Sequence, residues 1–266
     1  MQSCCLNEGL DLKTDGALHS SVLLLRDIEQ TNLDAYNRLA PEYDSPEHST
    51  TRALERLSNR SVTRLIRNSS RVARCDRVLE IGCGTGSSTS LLMKHLGRRS
   101  LTAIDCSRPM LDMALNRAIR YHPSATVRFE ECSVFSPACL TLRPKNGFDF
   151  IFCGLCDPFM VLAALKNIRA LCCDGATLVL TLPERTWALS ERAHRLNVTE
   201  EYTVFRLLSG ESVRPFSFTY APEELAERLV DQGFKPFCSR VEQLTSGSVG
   251  DFNPPRLLLS ASTAYS

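Results

Sequence analysis

The stretch VLEIGCGTGSSTSLL, Val78 to Leu92, restricts the fold more than any other part of the chain. Val78, Leu79 and Ile81 suit a buried strand, while Leu91, Leu92, His95 and Leu96 recur at helical spacing before Gly97. Gly82, Gly84 and Gly86, on alternate positions between them, therefore form a strand-to-helix turn. Without Cβ atoms they permit tight dihedrals and let a ligand approach the main chain, whose amides at the helix start favour electron-rich groups. Two nucleotide-type cofactors use such a turn, and a purely structural turn is a third reading. The dinucleotide fingerprint G-x-G-x-x-G/A puts its last small residue at Ser87, a poor match. The spacing acid-x-G-x-G-x-G, with Glu80 as the acid, fits in full.

The next strand narrows the choice. In LTAIDCSRPMLDMALNRA a short apolar strand, Leu101 to Ile104, is closed by Asp105, and Ser107 and Pro109 open a helix with Met110, Leu111, Ala114, Leu115 and Ala118 on one face. A carboxylate there can accept from both hydroxyls of a ribose, at the separation from the glycine turn, about 20 residues, that a βαβ unit gives. The competing role is a cap on the following turn. Together, Glu80, Gly82, Gly84 and Gly86, then Asp105 followed by Ser107, Met110, Leu111 and Ala114, resemble the first two motifs of class I S-adenosylmethionine (SAM) dependent methyltransferases.

That resemblance implies a Rossmann-like α/β fold: a seven-stranded, mostly parallel sheet in the order 3-2-1-4-5-7-6, its last strand antiparallel, with helices on both faces. It also implies SAM as cofactor, with Glu80, Gly82, Cys83, Gly84, Gly86, Asp105, Cys106 and Met110 around it. Later segments read onto the same plan. TVRFEECSV gives a third strand, 126 to 130, after which the family usually has an Asp that holds adenine. Ser133 stands in its place, so adenine recognition is expected from Ser133 and the Val134 amide. GFDFIFCGLCDPF gives a fourth strand, Phe148 to Cys153, whose carboxyl end should face the transferable methyl and place Cys153 to Asp157 beside the chemistry. An apolar helix, Met160 to Cys172, should then reach a CDG turn and a fifth strand, ATLVLTLPE. A helix from Pro222 to Gly233 and two strands, FKPFCSRVE and RLLLSAS, resemble the family's terminal antiparallel hairpin.

Residues 36–266 fit one such domain, preceded by an extension, 1–35, that is partly helical or disordered. AYNRLAPEYDSPEH resembles the opening segment of the ubiquinone and menaquinone methyltransferase-like branch, in which a tyrosine-bearing helix folds over SAM, so Tyr36 and Tyr43 join the expected cofactor residues. Those aromatics could equally anchor a terminal helix to the core. Segments 36–70 and 183–219 are the expected covers, the second holding the chain's single tryptophan, Trp187, in a helical lid with a short strand from Tyr202 to Phe205. Arg52, Arg56, Arg60, Arg64, Arg67 and Arg71 form one stripe along a helix, read as a solvated face or a site for an acidic or phosphate-bearing partner.

A formal net charge of +1 gives no field for nucleic acid or anionic membranes, and the apolar run Val22 to Leu25 is too short for a signal peptide or a span. A cytoplasmic enzyme acting on a small molecule is expected. The twelve cysteines show no paired zinc knuckles and read as buried reduced thiols, with Cys156 expected at the mouth of the site; no metal is expected. No N-P-P-Y stretch follows the fourth strand, and the His pair of quinone methyltransferases is replaced by Cys156 and Asp157, which does not support a quinone. The reaction implied is in-line transfer of the SAM methyl to an O, N or C nucleophile, with Asp157 and His194 as candidate bases where the acceptor must lose a proton. A SAM-binding protein with a non-methyl or non-catalytic partner role is the alternative, and a nicotinamide oxidoreductase a third.

Overall fold

The computed structural model describes residues 15–96, 99–122, 127–156, 162–193, 202–243 and 254–265. Two helices, α1 (Asp15–Leu39) and α2 (Ser49–Asn68), precede a βα alternation: β1 (Arg77–Ile81), α3 (Ser87–Leu96), β2 (Ser100–Asp105), α4 (Arg108–Tyr121), β3 (Val127–Glu131), β4 (Phe148–Gly154) and α5 (Leu162–Leu171). There follow β5 (Cys172–Pro183), α6 (Arg185–Glu191), a two-stranded ribbon β6 (Phe205–Arg206) and β7 (Ser212–Val213), α7 (Pro222–Asp231), β8 (Phe234–Gln243) and β9 (Arg256–Ala264).

The main sheet has the order β3-β2-β1-β4-β5-β9-β8. Once the small ribbon is set aside, this is the 3-2-1-4-5-7-6 order expected from the sequence. The strands from β3 to β5 run parallel, and β9 lies antiparallel between β5 and β8. Alternate residues of the central strands serve the two faces: Val78, Phe150, Phe152 and Val179 pack with Val62 and Ile66 of α2 and with Leu92 and Leu96 of α3. Leu79, Ile81, Ile151 and Leu178 pack on the other side with α5 and α7. Helices on both faces explain why these strands are almost unbroken apolar runs.

Four local expectations shift. The fifth helix stops at Leu171, and Cys172 already opens β5, paired with Phe148. No breaker separates the two apolar segments. The switch is made possible from outside, because Gly147 lets the Cys172–Cys173 backbone come so near that a Cβ there would sit 2.6 Å from the Cys173 nitrogen. The predicted CDG turn survives as a register irregularity inside the strand, with Gly175 at φ +75°. Leu115, read as part of the buried face of α4, is 41% exposed. The arginine stripe is broken at both ends, since Arg71 lies beyond α2 and Arg52 turns inward, whereas Arg56, Arg60, Arg64 and Arg67 are exposed. Finally, α1 runs straight through position 36, and its Ile28 joins the main core, so the covering element begins well before the expected boundary.

Candidate active site

The glycine turn is folded against β2. The amides of Gly82 and Cys83 both donate to the Ile104 carbonyl, at 2.8 and 3.0 Å, and Gly82, Gly84 and Gly86 take φ of +67°, +51° and +83°. Their roles differ. A Cβ on Gly86 would meet Ala114 at 2.9 Å, so this glycine seats α3 on α4. A Cβ on Gly84 would meet nothing within 4 Å, because that position faces open space. The space is a partly open cavity at the carboxyl ends of β1, β2 and β4, covered by α1 and α2.

Asp105 closes β2 at the cavity wall. Its Oδ2 accepts from the Gly84 amide and its Oδ1 from the Ser107 amide, each at 2.9 Å. Burial pushes its pKa up, opposed by the amides of Ser107, Gly84 and Cys106. The carboxylate keeps acceptor capacity for a further donor. Ser107 also caps α4 by accepting from the Met110 amide at 3.4 Å, while its hydroxyl donates to Asn37 Oδ1 at 2.8 Å and ties α4 to α1.

Of the residues expected around the cofactor, Tyr36, Tyr43, Gly82, Cys83, Gly84, Asp105, Cys106 and Met110 line the cavity. The others do not border it. Glu80 is fully buried behind the turn, where the Ser88 hydroxyl donates to its Oε1 at 2.5 Å, and burial pushes its carboxyl up to about 7. Gly86 packs against Ala114. Ser133 turns its hydroxyl onto the Phe135 amide at 3.2 Å, Val134 is buried with its carbonyl held by Asn167, and Phe135 borders the cavity in their stead. Cys153 points into the core beneath β4. Asp157 and His194 lie outside the described residues.

The end of β4 reaches the cavity through Gly154, Leu155 and Cys156. Leu155 has φ +57°, the one described non-glycine residue in the left-handed region, and is held there by its amide's bond to the Thr181 carbonyl at 2.7 Å and by packing on Leu54, Leu57 and Trp187. Cys156, expected exposed, is buried, its thiol 3.2 Å from the Ile81 carbonyl. The ten described cysteines carry no disulfide. Among the described residues no group of three or more His, Cys, Asp or Glu side chains is placed to hold a metal ion.

Sequence reasoning missed the cover's own contribution. Glu29 and Asn32 of α1 and Glu55, Ser58 and Asn59 of α2 line the cavity. The signal was present: α2's inward face is apolar at Leu54, Leu57, Val62 and Ile66 but is interrupted by polar residues at 55, 58 and 59. Ser58 bonds Thr181 at the end of β5 at 2.8 Å, and Asn59 Nδ2 donates to Ser87 at the start of α3 at 3.1 Å, so α2 spans the mouth from β5 to the glycine turn. Asp44 completes the closure, accepting from Thr85 of the turn at 3.1 Å, from Arg52 at 2.8 Å and from Arg117 of α4 at 2.5 Å. Above it, Tyr36, Tyr43 and Phe205 cluster with ring centroids 6.4 to 6.5 Å apart. Burial, followed by the charge of Glu55, raises the pKa of Tyr43 and keeps its phenol protonated. Trp187, expected in a lid over the acceptor, is instead buried under α2.

Residues 78–175, the part that builds the turn, Asp105 and the β4 end, match the family described as a methyltransferase domain. That stretch is similar to a methyltransferase domain. The fold is similar to that of DhpI, solved in a complex with SAM and HEP, with a TM-score of 0.58 and 21% identity over 88% of this chain and 97% of that one. The chain is 33% identical over 120 residues to malonyl-[acyl-carrier protein] O-methyltransferase of Paenibacillus sp. (strain JDR-2), a match covering 43% of this chain and 41% of the relative's length. Against glycine N-methyltransferase of Rattus norvegicus it is 27% identical over 231 residues, 68% of this chain and 74% of the relative. Among the described residues no helix is long and apolar enough to cross a membrane.

Proposed function

We propose that this methyltransferase transfers the methyl group of SAM to a nucleophile of a small organic molecule by in-line displacement. The observation that carries the reading is Asp105, a half-buried carboxylate fixed by the Gly84 and Ser107 amides with acceptor capacity left toward a cavity that a Gly84 side chain would fill. When bound, SAM supplies a methyl group on a positively charged sulfur. Asp105 would accept from the ribose hydroxyls, Met110 and Phe135 offer apolar surface to the adenine, and the glycine turn leaves its main chain open to the amino-acid tail. Tyr36 and Tyr43 on the cover would exclude water, and the rigid β4 end would fix the position from which a nucleophile approaches.

The relatives' names specify O-methylation of a malonyl-[acyl-carrier protein] in one case and N-methylation of glycine in the other, which is compatible with a small acceptor group here without choosing the atom. Calorimetric titration with SAM, with its demethylated product S-adenosylhomocysteine (SAH) and with NAD tests the reading. SAM and SAH should bind at one site and NAD should not. Binding of NAD in their place would overturn it.

A further inference from the structure

The acceptor side of the cavity has a charge of its own. Its described lining includes three carboxylates, Glu29, Glu55 and Asp105, and no lysine, arginine or histidine. The nearest described cations are already paired: Arg52 bridges Asp44 and one oxygen of Glu55, each at 2.8 Å, and Arg117 binds Asp44. Against these described residues a carboxylate would meet like charge, whereas an ammonium ion would gain charge-assisted hydrogen bonds.

Glu55 is placed to provide them. Arg52 occupies its Oε2, and its side chain is only 16% exposed. It sits on α2 between Leu54 and Leu57, which pack on Leu155 of the β4 end, and one turn before Asn59, whose Oδ1 is buried without a partner. Glu29, by contrast, acts on Cys106 at the Asp105 end. Glu55, on the helix that packs on Leu155, is therefore a different acid from the one that serves the ribose.

Resting on the SAM reading above, we infer that the methyl acceptor is a small amine that enters as its ammonium ion, and that Glu55 binds it and takes its proton. The balance is simple. The proton moves from nitrogen to the Glu55 carboxylate; the freed nitrogen lone pair forms the N–C bond as the C–S bond breaks, and that bond's electrons stay on sulfur, leaving a neutral thioether. Glu55 then returns the proton to water.

The test uses the full chain and two cofactor-based ligands in which nitrogen replaces the sulfur, one carrying a two-carbon arm ending in an amine, the other a two-carbon arm ending in a carboxylate. Wild-type protein should bind the amine arm about 10- to 100-fold more tightly than the carboxylate arm. Glu55→Gln should erase most of that preference while binding SAH as the wild type does, which also certifies its fold. Equal affinities for the two arms in a wild-type protein that binds SAH would overturn the amine assignment alone. Loss of SAH binding in a folded Glu55→Gln protein would overturn it too, by making Glu55 a holder of the cofactor's tail. If wild-type protein bound neither SAM, SAH nor either analogue, the SAM reading itself would fall and the inference with it.

Discussion

The Thr85 hydroxyl donates to Asp44 across 3.1 Å, joining the glycine turn to a residue that follows α1. Through the same carboxylate run Arg52 of α2 and Arg117 of α4, all three cationic and acidic side chains being a third exposed or less. One side chain thus fastens the cover to the floor of the cavity. Asp44→Ala would leave two guanidinium groups short of a partner and should cost about 1 to 3 kcal/mol. The loss should be local. Hydrogen exchange should quicken in α1 and the first turns of α2 while β1 and β4 stay protected; uniform exchange in the variant and the wild type would show that the cover is held by its apolar contacts alone.

Asp105→Ala should weaken SAM binding by about 1 to 3 kcal/mol, through the lost bonds to the ribose and the released Gly84 amide. Calorimetry on the folded variant checks this, and unchanged affinity would remove Asp105 from the site.

Gly84 and Gly86 of the turn should fail in different ways. Gly84→Val projects a branched side chain into open cavity, so cofactor binding should vanish while the cooperative melt persists, lowered only by the cost of a left-handed valine. Gly86→Ala drives a methyl into Ala114 and should lower stability before it touches binding. Thermal melts paired with SAH titrations separate the two, and the opposite assignment of effects would reverse their roles.

Glu80 should give stability a pH dependence of unusual sign. Its carboxyl is pushed from 4.5 to about 7 in the fold. Below the lower value both states are protonated; between the two values the unfolded chain ionises first, so stability falls as pH rises, by about 3 kcal/mol once both are ionised. Glu80→Gln keeps an acceptor for Ser88 and removes the titration. Urea melts near pH 5 and near pH 8 should show the variant gaining on the wild type by about that amount at the higher pH, and parallel curves would mean that Glu80 stays ionised throughout.

How far the sequence could be read depended on the range of the interactions involved. Gly82, Gly84, Asp105 and Met110 lie within one βαβ unit, where spacing alone fixes their convergence, and all four border the cavity. Glu55 and Asn59 come to the same cavity only because α2 crosses the strand ends, a placement decided by Ser58 meeting Thr181 across 123 positions of chain. Local pattern holds no record of such a meeting. Ser133 is not among the lining residues for a different reason: its hydroxyl accepts from the Phe135 amide in its own turn, and a short polar side chain takes such a nearby bond first. The helix running into Cys172 was overextended because the stop is imposed by pairing with Phe148 and not by any residue that breaks helices.

The position of β9 shapes how the molecule comes into being. This strand is made after β8 yet inserts between β8 and β5, giving Thr177 its partner Thr263 and Lys235 the same one from the other side. Until residues 256–264 arrive, β5 and β8 cannot touch, and each presents an unpaired edge; β5, in particular, is an apolar strand meant for the middle of the sheet. The last join is also among the most distant in sequence, so it closes late and exposes the chain to sticking by its edges while it waits. A slow final step in refolding and a need for protection during synthesis are the kinetic signature of a sheet whose keystone is delivered last.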